Sequence, residues 1–236
     1  MANSVKPEQP IIATRKQAEE VADDNQTLQN LEVVYEKNKK TINMVVTALL
    51  VIVGGFFAYK YLYQEPKEKK AANKAFYAEQ YFAADSLDKA LNGDGQHYGF
   101  LKVIREFGGT KTGNLARYYA GASYLKKGDF KNAIKHLEDF DGHGTLVGTA
   151  AYGMLGNAYL ESGNSDKGIS NLKKATENAN DIAQTPMYLF DLGIAYEGAK
   201  KPEEAKKVYQ RIRDEYPNSM QAQNIDRYLA RLGDIN

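Results

Sequence analysis

The chain has 236 residues, 31 Lys and Arg against 30 Asp and Glu, and no cysteine. A formal charge of +1 gives no electrostatic argument for a nucleic-acid partner, and the missing thiols exclude a disulfide framework, a thiol nucleophile and thiolate metal sites. The length suits one good-sized domain or two small ones.

Residues 1–10 (MANSVKPEQP) read as a disordered end. From Thr14 onward, Ala18, Val21, Leu28, Leu31, Val34 and Tyr35 recur at loosely helical spacing among charges, so 1–40 is expected to be a partly helical tail. Its weak apolar face suits a membrane surface or a partner helix, and equally a solvated helix.

Between Ile42 and Tyr59 no residue is charged, and as a helix this run spans roughly 27 Å, close to the thickness of a bilayer core. Lys37, Lys39 and Lys40 precede it, and Phe56, Phe57, Tyr59, Tyr61 and Tyr63 crowd its far end, as interfacial aromatics do. A soluble core helix would show a polar stripe, and a signal peptide would have a shorter apolar run nearer its start with a small-residue cleavage site. Residues 41–63 are therefore expected to be a permanent transmembrane helix in the lipid bilayer. Three lysines flank it on one side and five (Lys60, Lys67, Lys69, Lys70, Lys74) on the other, a margin that leaves its orientation open. Pro66 and the run KEKK mark 64–70 as a juxtamembrane linker.

Beyond it the chain repeats itself. RYYAGASYLKKGDFKNAIKHL (117–137), YGMLGNAYLESGNSDKGISNL (152–172) and LFDLGIAYEGAKKPEEAKKVY (189–209) align with Gly121, Gly156 and Gly193 in one column and Tyr124, Tyr159 and Tyr196 in another. A turn follows each Tyr, then a small residue (Ala133, Gly168, Ala205), then Leu137, Leu172 or Tyr209. Small residues let two antiparallel helices approach, and pairs that cannot bury their faces alone stack into a solenoid. Residues 71–91 and 98–107 are expected to form a degenerate first pair separated by NGDGQH, and the last stretch, with Ile225, Tyr228, Leu229 and Leu232 turned inward, a capping helix.

These columns, with Pro217 closing the last copy, resemble the tetratricopeptide repeat, although Arg117, Tyr152 and Leu189 stand where that repeat carries Trp. The expected fold class is all-α: a single N-terminal transmembrane helix followed by a tetratricopeptide-repeat α-solenoid over 71–236.

No catalytic constellation is expected. His136 and His143 lie near acidic residues but match no metal-ligand spacing. Gly93-Asp94-Gly95 and Gly108-Gly109-Thr110-Lys111-Thr112-Gly113 do not fit a phosphate loop and follow no strand, so no cofactor is expected. The chain reads as a binding module whose concave face is built by the first helix of each pair. Leu115, Tyr118, Ala122 and Lys126, then Asn157 and Glu161, then Met187, Phe190, Ile194 and Glu197 are expected to line a groove for an extended or helical peptide.

The order of parts, Tyr35-Glu36-Lys37-Asn38-Lys39-Lys40 before the anchor and Ala75-Phe76-Tyr77 with Tyr81-Phe82 leading into the repeats, resembles the YfgM family over about 35–236. That resemblance implies a bacterial inner-membrane protein with its N-terminus in the cytoplasm and its solenoid in the periplasm. It also implies an accessory, non-enzymatic role at the SecYEG translocon, with a PpiD-like periplasmic chaperone or secretory client polypeptides as partners. The alternative is an inner-membrane scaffold for envelope assembly or cell division.

Overall fold

The computed structural model describes residues 12–142, 146–177 and 182–234, with side chains from Val33 onward, Leu146 excepted. His143 and residues 1–10 lie outside them. The chain divides into two compact units, Met1–Tyr63 and Gln64–Asn236.

The first unit is built on α1, Ile12–Ala58. Tail and apolar stretch were expected as separate pieces, yet they form one helix: no Pro or Gly occurs between Ile12 and Val53, so the change from charged to apolar residues alters the surface and not the backbone. The helix carries an 18-residue window of mean hydropathy 2.2, long and apolar enough to cross a membrane, with none of that window buried. A π-helical stretch, Tyr59–Gln64, follows.

The second unit is all helix among the described residues, apart from one isolated bridge between Gly93 and Tyr98. The segment 64–70, expected as linker, is helical, because α2 runs Glu65–Ala83 with Pro66 in its first turn, where a missing N–H costs nothing. Three hairpins follow: α5 (Lys111–Lys126) with α6 (Phe130–Glu138), α7 (Leu146–Glu161) with α8 (Ser165–Ala175), and α9 (Thr185–Gly198) with α10 (Pro202–Glu215). A short α11, Ile225–Arg231, buries Ile225 and Leu229 against the last pair.

The repeat columns are close helix crossings. A Cβ built on Gly121 would stand 2.5 Å from Leu137 Cγ, one on Gly156 2.7 Å from Leu172 Cγ, and one on Gly193 2.2 Å from the Tyr209 ring. Each turn has one left-handed residue, Gly128 (φ 74°), Gly163 (φ 83°) or Lys200 (φ 57°). The next N–H returns to the repeat tyrosine's carbonyl: Asp129 to Tyr124 at 2.9 Å, Asn164 to Tyr159 at 2.8 Å and Lys201 to Tyr196 at 2.9 Å.

The same turn exposes the register of the first pair. Asp85 (φ 55°) is left-handed, and the Ser86 N–H reaches the Tyr81 carbonyl at 2.8 Å. Residues 71–91, expected as one helix, are therefore split into α2 and α3 (Leu87–Asn92). Fully buried Ala90 takes the place of Ala133, Gly168 and Ala205. Asp94 then falls where the other pairs put Leu137, Leu172 and Tyr209, and a carboxylate cannot occupy an apolar crossing. The helix breaks at Gly93 (φ 85°) and resumes as α4, Phe100–Phe107. NGDGQH thus interrupts the second helix of the pair rather than separating the two helices. Asp94 organises the loop, accepting from Tyr81 Oη at 2.6 Å, the Gln96 and His97 amides at 2.9 and 2.7 Å, and meeting His97 Nδ1 at 2.8 Å.

Candidate partner-binding face

The first helix of each pair turns one side to its own second helix and two flanks along the stack, leaving a fourth side as the inner face. Counting from the small crossing residue (Ala78, Gly121, Gly156, Gly193) fixes which residues lie there. The residue two before it gives Phe76, Tyr119, Met154 and Asp191, and the residue after it gives Glu79, Ala122, Asn157 and Ile194. Six before it stand Leu115 and Met187, and five after it Lys126 and Glu161.

The contacts agree with this register. Asn157 Nδ2 on α7 donates to Asp191 Oδ2 on α9 at 3.0 Å. Lys126 Nζ pairs with Asp85 at 2.5 Å and lies 5.5 Å from the Phe82 ring centroid, tying α5 to the first turn. Tyr119 stacks on Phe100 at 5.2 Å with an interplanar angle of 12°. Leu115 is half-buried, Ala122 is buried, and Glu161 is exposed at the end of α7. Three large apolar side chains stay open to solvent: Phe76 is 53% exposed, Met187 40% and Ile194 43%.

Three residues expected in the groove face along the stack instead. Tyr118 packs on Phe140 at 5.6 Å, and burial with the neighbouring Tyr119 pushes its hydroxyl pKa up. Phe190 meets Tyr228 edge-on at 5.0 Å and Tyr209 at 6.0 Å. Glu197 accepts from Tyr209 Oη at 2.7 Å and from Arg231 Nη2 at 2.6 and 2.9 Å, so α11 engages it.

Phe76, Glu79, Tyr119, Met154 and Asp191 are the inner-face residues that sequence reasoning missed. The available signal was the same repeat register read one residue along, and extended back to Ala78. Burial pushes the carboxyl pKa values of Glu79 and Asp191 up, the Asn157 amide pulling Asp191 part of the way back. The inner face is thus largely apolar, with two partly desolvated carboxylates.

The glycine-rich stretch at 108–113 is a helix start already supplied with an anion. Thr110 caps α5, accepting from the Gly113 amide at 2.9 Å. The Glu68 carboxylate takes the Lys111 and Thr112 amides at 2.7 and 2.8 Å and the Thr112 hydroxyl at 2.6 Å. Burial alone would raise the pKa of Glu68, but these hydrogen bonds outweigh it and hold it below its ordinary value. His136 stacks on Tyr124 at 5.6 Å, its pKa lowered by burial and then by Lys135. Among the described residues no group of three or more His, Cys, Asp and Glu could hold a metal.

Crossing glycines, tyrosine-anchored turns and an open inner face define a tetratricopeptide-repeat solenoid, a class of protein–protein interaction scaffold. Residues 115–140 and 188–219 match one form of the tetratricopeptide repeat and 149–182 another. Two crystal structures of nearly identical TPR-like repeats, described as kinesin light chain of Podosopora anserina, are similar in fold. Each gives a TM-score of 0.53 at 13% identity over 69% of this chain, covering 84% of the one and 85% of the other. No curated protein matches the chain.

Proposed function

We propose that this chain is a membrane-anchored, non-enzymatic scaffold that holds a polypeptide partner on the inner face of its repeats. Its α1 is the anchor, an accessory element of the SecYEG translocon in the bacterial inner membrane. The repeat unit lies in the periplasm, where it receives a PpiD-like chaperone or emerging secretory clients. The open apolar side chains at the two ends of the inner face, Phe76 on α2 and Met187 and Ile194 on α9, carry the binding reading, because exposed side chains of this size are positions that a partner desolvates. The apolar window of α1 supports the anchor, and the resemblance to the YfgM family supports the translocon. Anchoring raises the effective concentration of the bound partner at the membrane without any new contact.

The test is purification of the full-length protein in mild detergent, with co-purifying chains identified by mass spectrometry. Translocon subunits or a periplasmic isomerase in near-equal amounts would support the proposal. Recovery of envelope-assembly or division proteins alone would replace it with the scaffold reading. Proteinase added to intact spheroplasts should degrade the repeat unit, and protection would refute the periplasmic placement.

A further inference from the structure

Anchoring leaves the apolar stripe of the tail without a use. Every seventh residue from Leu28 to Phe56 is apolar (Leu28, Tyr35, Ile42, Leu49, Phe56), and Leu31, Asn38, Val45 and Ile52 stand three places after the first four of these. Positions alternating by three and four line one side of a helix of 3.6 residues per turn. This seam holds eight apolar residues and one amide over four heptads, all within α1, and three to four heptads is the length at which such a pattern marks a coiled coil. Inside the apolar run any register would be apolar, so Leu28, Leu31, Tyr35 and Asn38 set it. Asp24, one step earlier, ends it. Tyr35, Val45, Leu49, Ile52 and Phe56 are all exposed.

Three surfaces could cover the stripe in the tail. The membrane surface is excluded by the backbone. A stripe lying in the interface needs a sharp turn between tail and anchor, and α1 runs unbroken from Ile12 to Ala58 with neither Pro nor Gly before Gly54 to kink it. The tail instead carries its stripe away from the bilayer, over up to about 42 Å between Lys40 and Ile12. The repeat unit is excluded by the single crossing, which puts it on the far side of the bilayer in the anchored reading, on which this inference rests. A helix of another chain is left, and a second copy fits it. Both anchors insert in the same direction, so the two tails are parallel and each seam residue meets its own counterpart. Asn38 then faces Asn38, and an amide, donor and acceptor at once, pairs with itself. Thr41, Ala48 and Gly55, immediately before Ile42, Leu49 and Phe56, flank the seam with small side chains in the apolar run, where close approach drives pairing. The area also suffices. Full burial of a leucine-sized side chain removes about 60–120 Å² from water, so the seam covers about 500–1,100 Å² per copy, against about 800 Å² per partner in a stable interface.

We propose that α1 forms a parallel coiled coil with the α1 of a second copy, in register from Leu28 in the tail to Phe56 in the membrane-spanning part. The strict seven-residue repeat imposes a left-handed supercoil on the pair. Two repeat units then leave the membrane on one paired anchor. Each assembly presents two inner faces, and a partner with two matching segments is held by both.

Because the chain has no cysteine, single cysteines report the seam without background. Leu31→Cys and Asn38→Cys place a thiol on the seam, and Val33→Cys and Lys40→Cys place one two residues further on, on the opposite side of the helix. Full-length variants in isolated bacterial membranes, oxidised with copper phenanthroline, should give a disulfide-linked product at twice the chain's 26.3 kDa. The seam positions should give about fivefold more of it than the outer ones. Leu28→Asp with Leu31→Asp should cut the Asn38→Cys product about tenfold. Equal yields from both sides, no product from any position, or a product of another mass would each overturn the pairing, the last by assigning the seam to a different chain. So would an Asn38→Cys product that survives the two aspartates. Extraction with alkaline carbonate separates this inference from the anchor. Retention in the membrane pellet without a seam product refutes the pairing alone, whereas release of the wild-type protein refutes the anchor and the pairing with it.

Discussion

Gly193→Ala puts one methyl group where Tyr209 crosses α9. The added Cβ would stand 2.2 Å from Cε1, 2.7 Å from Cζ and 2.8 Å from Cδ1 of the ring. The ring must retreat by about 1 Å or more to regain ordinary carbon–carbon contact. Tyr209 is fully buried, with Phe190 and Tyr228 against it and its hydroxyl on Glu197, so it has no free direction. Overpacking of this kind costs about 1–3 kcal/mol, and a distorted buried hydrogen bond about 0.5–1.5 kcal/mol more. The helix gains back about 1 kcal/mol from replacing Gly by Ala. The net is a loss of about 0.5–3.5 kcal/mol, or about 1–14 °C in melting temperature for a unit of this size. Gly198→Ala, in the same helix with nothing within 4 Å of the new atom, should instead gain about 0.5–1 kcal/mol. Both are read by thermal circular dichroism of the full-length protein in mild detergent. A Gly193→Ala protein that melts at or above wild type would refute the crossing geometry.

Glu68→Gln should cost about 1–2 kcal/mol by weakening the carboxylate's hold on the α5 start. Because the folded pKa is depressed, the wild-type contribution is complete above the ordinary value of 4.5 and fades as pH falls through the lower folded value. Melting curves of the variant should be flatter than wild type across that window, and parallel curves would refute the cap. Lys200→Gly relieves a left-handed lysine and should raise stability by up to about 1 kcal/mol, whereas Gly128→Ala should lower it by about 1 kcal/mol. Urea titrations would show either sign to be wrong. Met187→Ser with Ile194→Ser should weaken a co-purified partner at least tenfold while leaving the melting temperature within about 2 °C, since both side chains are solvent-exposed. A matching drop in stability would mean that they support folding instead.

The three hairpins were legible because a small residue, a tyrosine and a turn recur in fixed columns, and each column proved to be one crossing or one left-handed turn. The first pair was not, for reasons in single residues. Asp94 stands at an apolar position, the interrupted helix moves Tyr81 to 43 residues before Tyr124 where later spacings are 35 and 37, and Asp85 turns the chain without Gly or Pro. Pro66 signalled a break but sits in a helix start, where that residue is favoured. The inner face was half legible. Periodicity placed Met187, Ile194 and Asn157, but between the adjacent Tyr118 and Tyr119 only the direction of stacking decides which faces the next pair.

The cover that α11 lays over Phe190, Tyr209 and Glu197 limits assembly as well as folding. A repeat stack propagates by offering the same surface that it accepts, so an uncovered last pair would invite another molecule's repeats in a head-to-tail contact with no rotation to close it. Such contacts grow as open filaments. Seven residues of helix, pinned by Arg231 on Glu197 and by Ile225 and Leu229 in the core, occupy the surface through which such a contact would form.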